Sequence, residues 1–435
     1  MPGYDPATMP RERIRDFQER RKRGEASSRH LVESCLHDIE VMNARLNAVV
    51  RVDAQGARAA ASDSDERLRR GTLRGPLDGI PLAVKHNIDV AGWAVAAGIG
   101  ALKTRTPHRD APCIGRLRDR GAVFLCNTLM DEAALGALGD NPIFGRCHNP
   151  HRHGYTAGGS SSGSAAAVAA GLCTAALGTD TLGSVRIPAS YCGVVGYVPG
   201  AGLVDSAGVV PLAPSLDRVG VLAQSVADAA CVAMALSDVI RFETVHCASI
   251  GLVRGLESFV SQEILTALDD TARALSRAGH RVFGIDAGAL DWARARRAAF
   301  LRTEIEGAQV HAALLDDPGA EISRALRDAL EFGRHAGAER VERMTAHMEQ
   351  ASSVFLGWLG QCDVLLLPTT PGAAFPFDAE VPSNQADLTA PASIAGLPAV
   401  SVPAGAVAGG LPVGAQLVAG RGRDALLLGV AASVG

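Results

Sequence analysis

Apolar and polar positions along this chain alternate between helical and strand periodicity. Leu31, Val32, Cys35, Leu36, Ile39 and Met42 recur at helical spacing, and the stretch from about residue 9 to residue 70 reads as helices. A turn at Gly75-Pro76 opens an apolar strand from Ile80 to Val84. Residues 110–140 pass from helix (Ile114, Leu117) to strand (Ala122 to Leu125), and a polar loop rich in Pro, His and Arg runs from Asn141 to His153. Ala165 to Gly171 reads as a helix of small residues. Ala175 to Leu177 reads as a short buried strand, and Gly178 to Ser184 as a tight loop. From 240 to 360, short strands alternate with long Arg- and Ala-rich helices such as Ser261 to Ala278 and Ala289 to Leu315. Residues 363–368 and 398–403 read as fully buried strands.

Strands interleaved with helices predict an α/β layered fold. No internal repeat or low-complexity linker interrupts the pattern, so one domain is expected over 1–435. Its parts are N-terminal helices (1–70), a core with the candidate loops (71–240), a helical excursion (241–360) and C-terminal core strands (361–435).

Composition narrows the function. Of 435 residues, 47% are hydrophobic and 20% charged, which supports a large packed core and excludes wholesale disorder. The net charge of −4 offers no general attraction to nucleic acid or to an anionic membrane. No uninterrupted apolar run reaches the roughly 18 residues of a membrane span. Residues 1–24 are rich in Arg and acid and lack the apolar stretch of a secretory signal. The nine cysteines are scattered and form no C-x-x-C pair, as expected of reduced thiols in a cytoplasmic protein. Only three of the 42 basic residues are lysines: Lys22, Lys85 and Lys103. A lysine kept at the end of an apolar strand therefore stands out, because a desolvated Lys can lose its proton and an Arg cannot.

Two loops carry candidate serine chemistry. Gly159-Ser-Ser-Ser-Gly163 fits the G-x-S-x-G elbow with Ser161 at its centre, but the residues before Gly159 do not read as the strand that an elbow requires. Gly178-Thr-Asp-Thr-Leu-Gly-Ser184 places a serine after a run of backbone N–H groups able to converge on an oxyanion. A serine in a Gly-rich loop is by itself more often a structural turn. Cys147, His148, His151 and His153 look like metal ligands, yet their spacing matches no standard zinc pattern, and no metal is expected there.

The combination is more specific than either loop. Twenty-four residues separate Ser160 from Ser184, and Gly79-Ile-Pro-Leu-Ala-Val-Lys-His-Asn-Ile-Asp-Val-Ala-Gly92 lies upstream. Asp131-Glu132, Gly145 to Pro150, Gly208 to Asp217, Ser225 to Asp228, Leu367-Pro-Thr-Thr-Pro371, Ala395 to Pro398 and Gly410 to Gln416 complete an ordered set. This set resembles the amidase signature family over most of the chain. The resemblance implies a single α/β/α domain around a large mixed β-sheet. It implies a Ser–Ser–Lys triad of Lys85, Ser160 and Ser184, with a cis peptide bond at Gly159–Ser160 and no metal or organic cofactor. Backbone N–H groups of Thr181, Leu182, Gly183 and Ser184 would form the oxyanion hole. Met130, Ser161 and Arg186 are candidate substrate contacts, Arg186 also being a candidate for holding the nucleophile loop.

The expected reaction is hydrolysis of a small carboxamide to acid plus ammonia or amine. The alternatives are the A component of a tRNA-dependent amidotransferase and a non-catalytic binding descendant. The expected partner is a small-molecule amide, with no nucleic acid and no membrane. A homodimer is compatible with the resemblance, and no residue pattern encodes an oligomeric state. Several positions depart from the family pattern: His86 for Asp, Ala157 for Pro, Ser162 for Gly, Leu182 for a small residue, and Gly196-Tyr-Val-Pro-Gly200 for a segment with Lys and Thr. Leu182 matters most, because a non-Gly residue restricts φ in the presumed oxyanion loop.

Overall fold

A computed structural model describes residues 13–434; residues 1–12, where the expected helical region begins, lie outside the described residues. The frame is an eleven-stranded mixed sheet. Its strands are β1 (Val49–Val52), β2 (Pro81–Lys85), β3 (Val123–Thr128), β4 (Ala175–Asp180), β5 (Val195–Val198), β6 (Arg218–Ala223), β7 (Ser249–Arg254), β8 (Arg281–Asp286), β9 (Val364–Pro368), β10 (Ala399–Ala406) and β11 (Pro412–Ala419). Their spatial order is β1-β3-β2-β4-β6-β5-β10-β11-β9-β7-β8. β2 runs parallel to both β3 and β4, and β7 runs parallel to both β8 and β9; the other neighbours are antiparallel.

Both faces of the sheet are covered, which is why its central strands read as continuous apolar runs. Leu82, Val84, Leu177, Val219 and Val221 pack on one face with the helix Val226–Leu236. Ala83, Ala176 and Leu222, which alternate with them, pack on the other with the helices Ser28–Leu46 and Ser162–Ala169. The latter helix consists of small residues because nothing larger fits. A Cβ on Gly163 would come within 2.2 Å of the Ala48 carbonyl oxygen and 2.4 Å of the Leu129 nitrogen.

Local expectations are corrected in three places. β1 interrupts the N-terminal helices and pairs with β3 at the sheet edge. The segment expected as a loop from Asn141 to His153 contains two short ribbons, Asp140–Asn141 with Gly145–Arg146 and His148–Asn149 with Arg152–Thr156. β4 continues to Asp180, because Gly178, Thr179 and Asp180 pair with Gly220, Val219 and Arg218. The short strands expected between the helices of the 241–360 segment are β7 and β8, at the far end of the sheet.

Candidate active site

The parallel pairing of β2 with β4 aligns their C-terminal ends, the edge at which open α/β sheets carry their sites. Lys85 ends β2 and Asp180 ends β4. The serine-rich loop enters beside them, because the helix Ser162–Ala169 begins at this edge.

Lys85 is fully buried. Its Nζ donates to Ser160 Oγ at 2.7 Å, to Thr179 Oγ1 at 2.8 Å and to the Thr179 carbonyl at 3.3 Å. Burial brings its pKa down to about 7, against the opposing pull of Asp131, Asp217 and Asp180. The Gly159–Ser160 bond is cis. Ser161 N–H donates to the Ser184 carbonyl at 3.1 Å, which ties the two serine loops together. Thr179 was not singled out from the sequence, although it stands in the quoted motif. Its side chain holds both Lys85 and, at 3.2 Å, Asn87 Nδ2.

The Ser184 loop is braced by two carboxylates. Asp180 accepts from Gly183 N–H at 2.8 Å and Val185 N–H at 3.0 Å. Burial would raise its pKa, but the Arg186 charge and hydrogen bonds outweigh that and lower it to about 2. Asp217 accepts from Thr181 Oγ1 at 2.6 Å and from the Leu212 and Ala213 N–H groups at 2.8 and 3.0 Å. Gly183 N–H, expected among the oxyanion donors, is engaged by Asp180. The N–H groups of Thr181, Leu182 and Ser184 have no acceptor among the described residues.

Arg186, the other candidate for holding the loop or meeting a substrate, is turned into the protein. All five of its N–H groups meet protein acceptors: Asp180 twice (3.0 and 2.8 Å), the Thr389 carbonyl (3.0 Å), Gln416 Oε1 (2.6 Å) and Ser393 Oγ (2.7 Å). It locks the loop from behind. Ser161 is fully buried, its Oγ donating to the Thr179 carbonyl at 3.2 Å and accepting from Thr179 N–H at 3.3 Å. A strand does precede this loop, but it belongs to a two-stranded ribbon outside the central sheet. Met130 packs with Ala134 and Leu212 in a small buried cluster behind the cavity wall.

A cavity of about 350 Å³ opens onto Ser184. Its walls are mainly apolar, with Leu135, Leu138, Leu182, Ile187, Leu212 and Phe300 among them. Asp131 shapes one wall by accepting from Leu138 and Gly139 N–H at 3.1–3.2 Å. Burial raises Asp131 to about 6, while those bonds and Lys85 pull it down.

The family profile described as Amidase matches residues 30–428. The chain belongs to the amidase signature family. The A component of the glutamyl-tRNA(Gln) amidotransferase of Prochlorococcus marinus (strain MIT 9303) is 34% identical, over 96% of each chain. A crystal structure of an amidase superposes with a TM-score of 0.89 at 32% identity, covering 97% of this chain and 99% of the other. The peptide amidase of Stenotrophomonas maltophilia superposes with a TM-score of 0.83 at 30% identity, covering 99% and 97%.

For an amidase, the departures from pattern fall around the site without displacing the lysine. His86 is buried, which drops its pKa to about 4, and its Nε2 lies 3.2 Å from the Ala94 carbonyl. Leu182 forms part of the cavity wall and packs with Ala213, Leu216, Ala299 and Ala390. The candidate metal ligands diverge: Cys147 is buried in the core under the ribbon, whereas His148 stacks on His153 with ring centroids 3.9 Å apart. Among the described residues, no helix is long and apolar enough to cross a membrane.

Proposed function

We propose that this amidase hydrolyses a small carboxamide to a carboxylate and ammonia or an amine through an acyl-enzyme on Ser184. The observation that carries this reading is the contact between Lys85 and Ser160, both fully buried, beside the Ser184 loop. An amine whose pKa lies near 7 is half neutral at neutral pH and can serve as a base.

Neutral Lys85 takes the Ser160 proton as Ser160 takes that of Ser184. The Ser184 oxygen bonds to the amide carbon, and the carbonyl electrons move onto oxygen. The N–H groups of Thr181, Leu182 and Ser184 stabilise that charge. As the C–N bond breaks, the relay runs backwards and protonates the leaving nitrogen. Water, deprotonated by the same relay, then attacks the acyl carbon and frees Ser184.

A second reading has its own support. Relatives at 34% identity over nearly the whole chain are named as the A component of an amidotransferase. Under that reading the protein would be a glutaminase that co-purifies with partner proteins. The deciding experiment needs no knowledge of substrate. The protein is treated with a fluorophosphonate probe and the adduct is mapped by peptide mass spectrometry, with Lys85→Ala as control. An adduct on Ser184 that is lost in the control is expected. An adduct on Ser161, or none, would overturn the triad.

A further inference from the structure

The apolar cavity at Ser184 contains one charged side chain, Arg296, among its described lining residues. Arg296 lies on the helix Trp292–Val310, four residues before Phe300, so both face the same cavity. Its Nε–H donates to Asp387 Oδ1 at 2.5 Å. Asp387 is itself buried. This bond holds the guanidinium by one corner. The two Nη groups have no acceptor among the described residues, and the side chain keeps 17% of its surface exposed. The contrast with Arg186 is direct, since that guanidinium has all five N–H groups satisfied by protein.

An arginine fixed at Nε presents its Nη1–Nη2 edge, two roughly parallel donors spaced to match a carboxylate. The surrounding wall (Phe300, Val381, Pro382) is apolar, and the other polar groups nearby, Thr303, Ser383 and Gln385, are neutral. Asp387 supplies the countercharge at Nε, but the Nη donors on the other edge are left without an acceptor, and charged donors in an apolar wall are best matched by an anionic oxygen pair. Among the described lining residues, no carboxylate reaches that edge.

We propose that Arg296 is the specificity-determining residue of this site, and that the substrate is an amide carrying a carboxylate on the far side of an apolar segment. Half-amides of dicarboxylic acids and amides of acidic acyl chains have this form. The proposal rests on Ser184 being the nucleophile, as argued above. Asp387 acts as a positioning residue, keeping the free edge turned toward the cavity.

The test uses paired fluorophosphonates whose alkyl chains end in either a carboxylate or its methyl ester, over a short series of chain lengths. The rate of Ser184 labelling is measured for the wild type and for Arg296→Gln. At one chain length the wild type is expected to prefer the carboxylate by about tenfold or more, the size of a charge-assisted hydrogen-bonded pair. Arg296→Gln is expected to lose that preference, its ratio of carboxylate to ester labelling rates falling to about one. Ser184 labelling with no carboxylate preference at any length, or a preference that survives in Arg296→Gln, would overturn this proposal and leave the Ser184 reading intact. Failure of every probe to label Ser184 would overturn both.

Discussion

Lys85 Nζ lies 2.7 Å from Ser160 Oγ, with neither residue open to solvent. Thr179 receives the remaining donors of the amine through its hydroxyl and its carbonyl. The lysine is thus fixed in direction as well as desolvated.

That arrangement predicts a pH dependence. In the proposed mechanism the neutral amine is the base, and its pKa sits near 7 because burial disfavours the charged form. Ser184 labelling should therefore rise as pH increases through about 7 and fall about tenfold per pH unit below it. Lys85→Arg should lose at least about a hundredfold at every pH, because a guanidinium keeps its proton. Labelling rates from pH 5 to 9 check both statements. A flat profile would rule out Lys85 as the group that titrates.

The two central serines of the Gly-rich loops should separate cleanly. Ser161 Oγ bonds only to the Thr179 backbone, so Ser161→Ala should lose about 1–3 kcal/mol of stability yet still be labelled at Ser184. Ser184→Ala should keep its stability and lose all labelling. Urea unfolding alongside mass spectrometry distinguishes the two variants.

Asp180 and Arg186 form a fully buried pair. Asp180→Asn leaves the guanidinium without its countercharge and should cost about 3–5 kcal/mol. Because Asp180 also holds the Gly183 and Val185 N–H groups, labelling should fall with stability. The pH signature follows from the depressed pKa. The carboxylate's contribution is fully present above the unfolded value near 3.8 and disappears as pH falls toward about 2. In acid titrations, wild type and Asp180→Asn should differ most above pH 4 and converge below it.

Leu182 is off pattern for the family, but its N–H does not depend on its side chain. Leu182→Ala removes packing against Ala213, Leu216, Ala299 and Ala390 and should cost about 2–3 kcal/mol. Ser184 labelling by a small probe should stay within about threefold of wild type, and a bulkier probe should react faster as the cavity widens. A large loss with the small probe would mean that the side chain itself sets the loop geometry.

Much of the frame was legible along the chain. β2, β3, β9 and β10 were readable because strands buried on both faces leave continuous apolar runs. β1 was missed although Val49, Val50 and Val52 are β-branched, because four residues between two helices carry little periodicity. The ribbons from Asp140 to Thr156 were missed because Asn, His, Arg and Gly at those positions form no alternating pattern. Lys85 was conspicuous as a rare lysine at an apolar strand end.

By itself, then, the sequence determined the α/β class and the family, and the resemblance implied the three residues proposed to act in turn. Ordered motifs along the chain carry that information without coordinates. Only the tertiary structure decided which donors are free. Gly183 N–H turned out to be engaged by Asp180, Arg186 to be saturated, and Arg296 to have an open edge on the cavity. Hydrogen-bond satisfaction depends on partners up to 230 positions away, as Arg186 and Gln416 are, and no local pattern encodes that distance.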